Sequence, residues 1–538
     1  VAGQKILIFV LIVGALLVPL IGSGLSPASA ADFDRDGYAD LAIGVKWEEV
    51  NGKYRAGAVN VLYGTANGIS AADDQIWHQD NLFTAGGAEA NDHFGQVLAA
   101  GDFDGDGAAD LAVGVPGQDV DGAPSGGAVQ ILYGTSPQGF VATGTQLWHQ
   151  NSPDVADFAQ EGDLFGSALA VGDFDGDGHD DLAVGAFGES VGTESEAGAV
   201  SVLYGTAVGL SALGNQIWFE GHNGLGGVAE ADDWFGAALA AGDFDRDGRD
   251  DLAISIKSED LGEGVGLISD AGRVVILYGT ANGLSATGSQ SWVQGQDGLG
   301  EDAEANDYFG ESLATGDFDG DGYADLAIGA PREDVVLQLD AGRVDILLGS
   351  PDGLTSEGSQ GFNFQNCTAN DRFAYSLAAG DFDGDGFDEL AVGIPYEDLY
   401  TWGGIGAVEI LYGGSGGLHR RSEWDDVWSQ NRTGMEDGPE PGDLFGYALA
   451  AGNFNDDNYV DLAVGIPEEN IGTKGNAGAV QILYGSADGI AVTGNQFWHQ
   501  DSTWIEGVAE QDDNFGCALA AIPLTRFRVY LPLVIIND

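Results

Sequence analysis

The stretch Asp32-Phe33-Asp34-Arg35-Asp36-Gly37-Tyr38-Ala39-Asp40 reads D-x-D-x-D-G-x-x-D, and variants of it begin again at Asp102, Asp173, Asp243, Asp317, Asp381 and Asn453. Carboxylates at positions 1, 3 and 5, a glycine at the sharp turn of position 6 and a further carboxylate at position 9 make a loop for a hard cation. Calcium accepts about six to eight oxygens in a flexible shell, whereas magnesium demands octahedral geometry and keeps its water, so the pattern points to Ca2+. Position 7 is read as a backbone-carbonyl ligand, which frees its side chain to vary.

The candidate metal ligands follow copy by copy. Loop 1 offers Asp32, Asp34, Asp36, Tyr38 and Asp40, and loop 2 offers Asp102, Asp104, Asp106, Ala108 and Asp110. Loop 3 offers Asp173, Asp175, Asp177, His179 and Asp181; loop 4 offers Asp243, Asp245, Asp247, Arg249 and Asp251. Loop 5 offers Asp317, Asp319, Asp321, Tyr323 and Asp325, and loop 6 offers Asp381, Asp383, Asp385, Phe387 and Glu389. Loop 7 offers Asn453, Asn455, Asp457, Tyr459 and Asp461, with two amides in place of carboxylates and Asn458 in place of the glycine. Six sites are expected to bind; the seventh is expected to bind weakly or not at all.

The flanks decide what the loops belong to. D-x-D-x-D-G also occurs between helices, but here each copy runs into a short apolar segment such as Leu111-Ala112-Val113-Gly114-Val115-Pro116, too short for a helix and closed by proline. The starts lie 70, 71, 70, 74, 64 and 72 residues apart, a period of one supersecondary unit per repeat. Eight residues before each loop after the first stands an aromatic pair, Phe94-Gly95, Phe165-Gly166, Phe235-Gly236, Phe309-Gly310, Phe373-Ala374 and Phe445-Gly446. A strand pattern such as Gly57-Ala58-Val59-Asn60-Val61-Leu62-Tyr63-Gly64 and then a Gln-Ile-Trp-His-Gln type of segment complete each unit. Four short strands per unit with turn-rich connections predict an all-β protein, a seven-bladed propeller of four-stranded blades. The first unit lacks its aromatic-glycine strand and the chain ends on an orphan one at Phe515-Gly516, so the C-terminal strand is expected to join the N-terminal blade.

The Phe-Gly pair, the acidic loop and the Gly329-Ala330-Pro331 type of sequence after it resemble the FG-GAP repeat of integrin alpha-subunit propellers and of many secreted bacterial proteins. That resemblance implies a seven-bladed propeller with calcium in loops between the first and second strands of its blades. It extends over nearly all of residues 31–522. Integrin-type heterodimer signalling is not implied, because the sequence shows no leg domains and no region that identifies a partner subunit.

Residues 1–30 read as a signal peptide: Lys5, an apolar run from Ile6 to Ile21, then Ala28-Ser29-Ala30 as a small-x-small cleavage site. The alternative is an uncleaved anchor. Residues 31–522 are the expected propeller and 523–538 a short apolar tail. A net charge of −68 over 538 residues excludes unassisted binding to nucleic acid or to an anionic membrane, since a phosphate-facing surface is basic. Cys367 and Cys517, placed far apart around a ring, are expected to be free thiols.

Enzyme signatures do not survive their context. Gly413-Gly414-Ser415-Gly416-Gly417 matches G-x-S-x-G but occupies the turn that Gly64–Gly68 fills in the first unit, without the strand-to-helix elbow a hydrolase needs. Trp77, Trp148, Trp218, Trp292, Trp428 and Trp498 recur once per unit and are read as packing between blades, with sugar stacking as the alternative. The functional expectation is a non-enzymatic, exported, calcium-binding module at the cell surface or outside the cell that binds an unknown protein or glycan. An extracellular polysaccharide-active enzyme and a structural envelope component are the alternatives.

Overall fold

The computed structural model describes residues 31–82, 87–262, 266–296, 298–398, 403–421 and 426–521. The expected signal peptide and the apolar tail lie outside these. The described residues hold 28 strands in seven four-stranded antiparallel sheets, a seven-bladed β-propeller. In blade 2 the strands run Val97–Gly101, Asp110–Val115, Ala128–Leu132 and Gln146–Trp148, and the other blades repeat this order. Blade 1 consists of Leu41–Val45, Ala58–Tyr63 and Ser70–Trp77, with Ala518–Ala520 paired antiparallel beside Leu41–Val45 in the register Ala42↔Ala520. The first strands of successive blades touch one another all the way round, blade 7 meeting Ala518–Ala520 and that strand meeting blade 2.

Composition along each blade follows its depth in the ring. Second strands such as Asp110–Val115 are buried at every position, because a neighbouring blade covers each face. First strands are built from small residues, as in Leu377-Ala378-Ala379-Gly380, where blades converge. A Cβ added at Gly380 would meet Val460 Cγ1 at 2.7 Å. Outer strands such as Ser211–Trp218 are mostly half-buried or exposed, with Ala212 and Trp218 buried.

The motif glycines have a physical cause. A Cβ on Gly114, in the second strand of blade 2, would lie 2.3 Å from the carbonyl oxygen of Gly166, in the Phe-Gly pair of blade 3. The same approach recurs from Gly44 to Gly95, from Gly185 to Gly236 and from Gly465 to Gly516. The two halves of the repeat signature therefore touch across the blade boundary, and any side chain there would push blades apart. Two circles of fully buried phenylalanines flank this contact, Phe94, Phe165, Phe235, Phe309, Phe373, Phe445 and Phe515 before the first strands, and Phe33, Phe103, Phe174, Phe244, Phe318, Phe382 and Phe454 inside the loops.

Candidate metal centres

All seven acidic loops lie at the same end of their blades, each leading into the second strand; in blades 2 to 7 the loop is the turn between first and second strands, and in blade 1 it precedes Leu41–Val45. Their backbones are folded by their own carboxylates. In loop 1 the N–H groups of Asp36 and Gly37 donate to the two Asp32 oxygens at 3.0 and 2.9 Å, and Tyr38 N–H donates to Asp36 Oδ1 at 3.0 Å. The glycine at position 6 stands at φ 101° in loop 1 and 89° in loop 2, the left-handed region that glycine enters at little cost.

This winding gathers the acids. Single oxygens of Asp32, Asp34 and Asp36 lie within 4.8 Å of one another, and so do those of Asp102, Asp104 and Asp110, of Asp173, Asp175 and Asp181, and of Asp243, Asp245 and Asp251. Asp102 Oδ1 and Asp317 Oδ1 are buried without a hydrogen-bond partner. Burial, then repulsion from Asp36 and Asp32, pushes the Asp34 carboxyl up to about 6. An all-oxygen donor set, gathered partly out of water and holding unsatisfied oxygens, fits a divalent cation, which would favour the charged forms. A further trio of acids within the same reach, Glu220, Asp233 and Glu259, does not fit one. There the Arg273 guanidinium pairs with Glu220 and, at 2.8 Å, with Glu259.

Position 9 has a role the sequence did not disclose. Asp110 is fully buried, and its two oxygens accept the N–H of Phe103 at 2.8 Å and that of Gly134, after the third strand, at 2.9 Å. Asp40, Asp181, Asp251, Asp325, Glu389 and Asp461 each make the same bridge. Burial, offset by these N–H donors, pushes the carboxyl to about 9 in Asp110 and about 8 in Asp461. Loop 7, short of carboxylates for a metal, keeps the bridge, so this acid is a structural staple in all seven copies. Glu389 spans the same two donors as the shorter aspartates, with a longer 3.3 Å bond to Gly413.

The loops are also linked to one another. The position 8 N–H of each loop donates to the position 1 carbonyl of the loop before it: Ala109 to Asp32, Asp180 to Asp102, Asp250 to Asp173, Ala324 to Asp243, Asp388 to Asp317, Val460 to Asp381 and Ala39 to Asn453. The last link joins loop 1 to loop 7. Position 7 side chains, expected to be idle, take part: His179, Arg249, Phe387 and Tyr459 lie over Gly105, Gly176, Gly320 and Gly384 at position 4 of the preceding loop. Where position 4 is arginine the reach reverses, Arg35 donating to the Asp106 carbonyl at 2.7 Å and Arg246 to that of Asp321 at 2.9 Å. In loop 6 Arg421 pairs with Asp383, placing a cation of the chain beside one candidate ligand.

The tryptophans of the outer strands face inward. Trp77, Trp218, Trp292 and Trp428 are buried and Trp148 and Trp498 half-buried, and the indole N–H of Trp77 and of Trp148 donates to the glutamine two residues earlier at 3.2 Å. Those glutamines grip the next blade, Gln146 Nε2 donating to the Leu210 carbonyl at 3.1 Å. Gly413–Gly417 forms a tight turn closed by Gly417 N–H to the Gly414 carbonyl at 2.7 Å, with no helix after it among the described residues. Cys367 and Cys517 are free.

Among known proteins, the FG-GAP repeat model matches residues 23–62, 94–132, 165–203, 235–277, 309–361, 373–411 and 445–483. Integrin alpha-PS2 of Drosophila melanogaster is 36% identical over 247 residues, 44% of this chain and 15% of that protein. Phosphatidylinositol-glycan-specific phospholipase D of Homo sapiens is 26% identical over 380 residues, 68% of this chain and 42% of the relative. The chain thus spans less than half the length of these curated relatives. Among solved structures, the Dos1 propeller aligns with a TM-score of 0.39 at 11% identity, covering 81% of this chain and 76% of that one. With seven matched repeats falling on seven blades, the chain belongs to the FG-GAP repeat family.

Proposed function

We propose that this chain is an exported, calcium-binding propeller that acts at the cell surface or outside the cell as a binding module for a protein or glycan. The observation that carries the calcium reading is the crowding of acids in loops 1 to 4, where His179 and Arg249 pair with Asp177 and Asp247 outside the grouped oxygens, set against the arginine-filled acidic trio elsewhere. Calcium's first task is then structural: it relieves repulsion in loops that are chained together by backbone hydrogen bonds, so binding and ring stability are coupled. Loops 1 to 6 are the binding sites and loop 7 is a site in shape only. Export rests on the leader-like residues 1–30, and the adhesive role on the integrin alpha relatives. A rigid ring offers its non-repeating loops to the partner.

Calorimetric titration of chelator-treated protein with calcium tests the metal reading. Saturable uptake of about six ions per chain, reduced by Asp104→Asn with Asp106→Asn but not by Asp457→Asn, is the expected result; no uptake overturns it. The adhesive reading predicts calcium-dependent retention on extracellular matrix proteins or on a glycan array. A chain that binds neither but cleaves an array glycan is an enzyme instead.

A further inference from the structure

A second set of buried acids lies at the opposite end of the blades. The aspartate two residues before each motif phenylalanine meets a glutamate just past the end of the second strand: Asp163 with Glu189, Asp307 with Glu333, Asp371 with Glu397 and Asp443 with Glu469. Each of these eight side chains is at most 4% exposed. A glutamine two residues past the outer strand of the previous blade ties the pair across the boundary, Gln150 Nε2 donating to Glu189 Oε2 at 2.5 Å, Gln294 to Glu333 at 2.8 Å and Gln430 to Glu469 at 2.6 Å. The two ends of the chain build the same joint, Gln500 donating to Glu48 at 2.8 Å beside Asp513.

We propose that these blade joints are held by carboxyl pairs that share one proton, so that the ring is tied more firmly as its surroundings acidify and less firmly on the alkaline side. Three independent observations converge on this. The first is geometric: Asp443 Oδ2 accepts Glu440 N–H and Asp163 Oδ2 accepts Gln160 N–H, each at 2.5 Å, while Oδ1 of both is buried with no donor. A proton between that oxygen and the facing glutamate supplies the missing bond, and two adjacent buried carboxylates cannot both stay charged.

The second is the variation among repeats. At the boundary of blades 1 and 2 the glutamate is replaced by Gln118, the neutral shape of a protonated glutamate. At the boundary of blades 3 and 4 the tying glutamine is replaced by a third acid, Glu220, and Arg273 arrives to pair with it. Each departure keeps the joint's charge down by a different route.

The third is electrostatic. Burial, followed by the neighbouring acids, raises Glu189, Glu333, Glu397 and Glu469 to about 8. The charged groups facing the joints are Asp157 at Asp163–Glu189, and Glu440, Asp437 and Glu468 at Asp443–Glu469; none is basic. Around Asp92 they are Glu89 and Asp119. The folded chain holds protons that the unfolded chain releases between its ordinary carboxyl range and about 8, so each joint's contribution falls as pH rises through that window and is flat above it.

The test compares full-length Asp163→Asn, Asp443→Asn and Gln118→Glu with the parent in saturating calcium at pH 5 and pH 8.5. Asparagine places a fixed N–H donor where the orphaned oxygen stands, so both Asn variants are expected to melt about 2 to 4 °C above the parent at pH 8.5 and no higher than it at pH 5. Gln118→Glu creates a new pair beside Asp92 and is expected to melt lower than the parent at pH 8.5 only. Potentiometry of urea unfolding at pH 6.5 is expected to count about one proton fewer released per Asn variant and about one more for Gln118→Glu. Equal shifts at both pH values, or an unchanged proton count, overturn the proposal. If the Asn variants do not fold, the Gln118→Glu proton count decides alone.

Discussion

The two ends of each blade both carry acids and handle them in opposite ways. At the loop end the acids are partly exposed, wound into turns by backbone N–H groups and crowded around a space that suits an ion; at the joint end they are sealed between blades and tied by glutamine. The difference teaches that burial decides the counter-charge: an open cluster can recruit a metal from solution, whereas a sealed one is left with protons or with an arginine of its own, as at Arg273. The loop end should accordingly answer to chelators, and the joint end to pH.

Removing calcium is the strongest way to break that contrast. Extracellular sites bind at roughly 0.1 to 1 mM, so at tenfold saturation each loop gains about 1.4 kcal/mol and six loops about 8 kcal/mol. A large fall in melting temperature in excess chelator is the expected outcome, and superimposable melting curves would refute it. The fall should depend on pH. Without metal, loop carboxyls such as Asp34 titrate above their unfolded value, so the apo ring loses stability as pH rises from about 4 to about 6. With calcium bound the charged forms are the favoured ones and stability is instead lost on the acid side. Melting curves taken with and without calcium should converge near pH 5 and separate toward pH 8; a constant gap across that range would contradict the assignment.

A smaller effect separates the two duties inside one loop. Asp461 bridges Phe454 N–H and Gly485 N–H at 2.9 Å each in the loop least able to hold a metal. Asp461→Ala strands both buried donors and should cost about 3 kcal/mol whether or not calcium is present. Asp36→Asn, by contrast, should be felt only when calcium is added. Urea titrations of both variants in calcium and in chelator make the comparison, and a calcium-dependent loss for Asp461→Ala would return position 9 to the metal.

How far the sequence could be read follows from the same physics. The propeller was legible because its period, its strand flanks and its aromatic-glycine landmarks are local and recur from unit to unit, with Gly-x-Pro in four of the seven. The loop acids were legible because D-x-D-x-D-G compresses a metal shell into nine residues. What could not be read were interactions that join distant repeats: the belt from position 8 to position 1, the position 7 side chains lying on the preceding loop, and the joint acids, whose partners lie 26 residues away, from Asp163 to Glu189, and 39 away, from Gln150 to Glu189. One signal was present and unused. The aspartate two residues before the motif phenylalanine recurs as Asp92, Asp163, Asp233, Asp307, Asp371, Asp443 and Asp513, a regularity a solvated loop does not need.

The smallest effect concerns a hairpin at the joint end, between the second and third strands. Five blades close it with a two-residue turn, bridged Val50↔Lys53, Val120↔Ala123, Val191↔Glu194, Val335↔Gln338 and Ile471↔Lys474. The first turn residue is left-handed in each, and it is Asn51, Asp121, Gly192 and Gly472 in four of them, residues that tolerate that region. In blade 5 it is Val336 at φ 60°, a β-branched residue where glycine is wanted, and Val336 and Leu337 stand 93% and 88% exposed. Replacing the pair by the Gly-Thr of blades 3 and 7, as Val336→Gly with Leu337→Thr, should relieve strain with no packing to lose and raise stability by about 1 kcal/mol. Because the turn holds neither a loop acid nor a joint acid, the gain should be the same in calcium, in chelator, at pH 5 and at pH 8. A loss of stability in the urea titration would mean that the valine and leucine pack against something in the folded ring, and that blade 5 is not merely a strained copy of its neighbours.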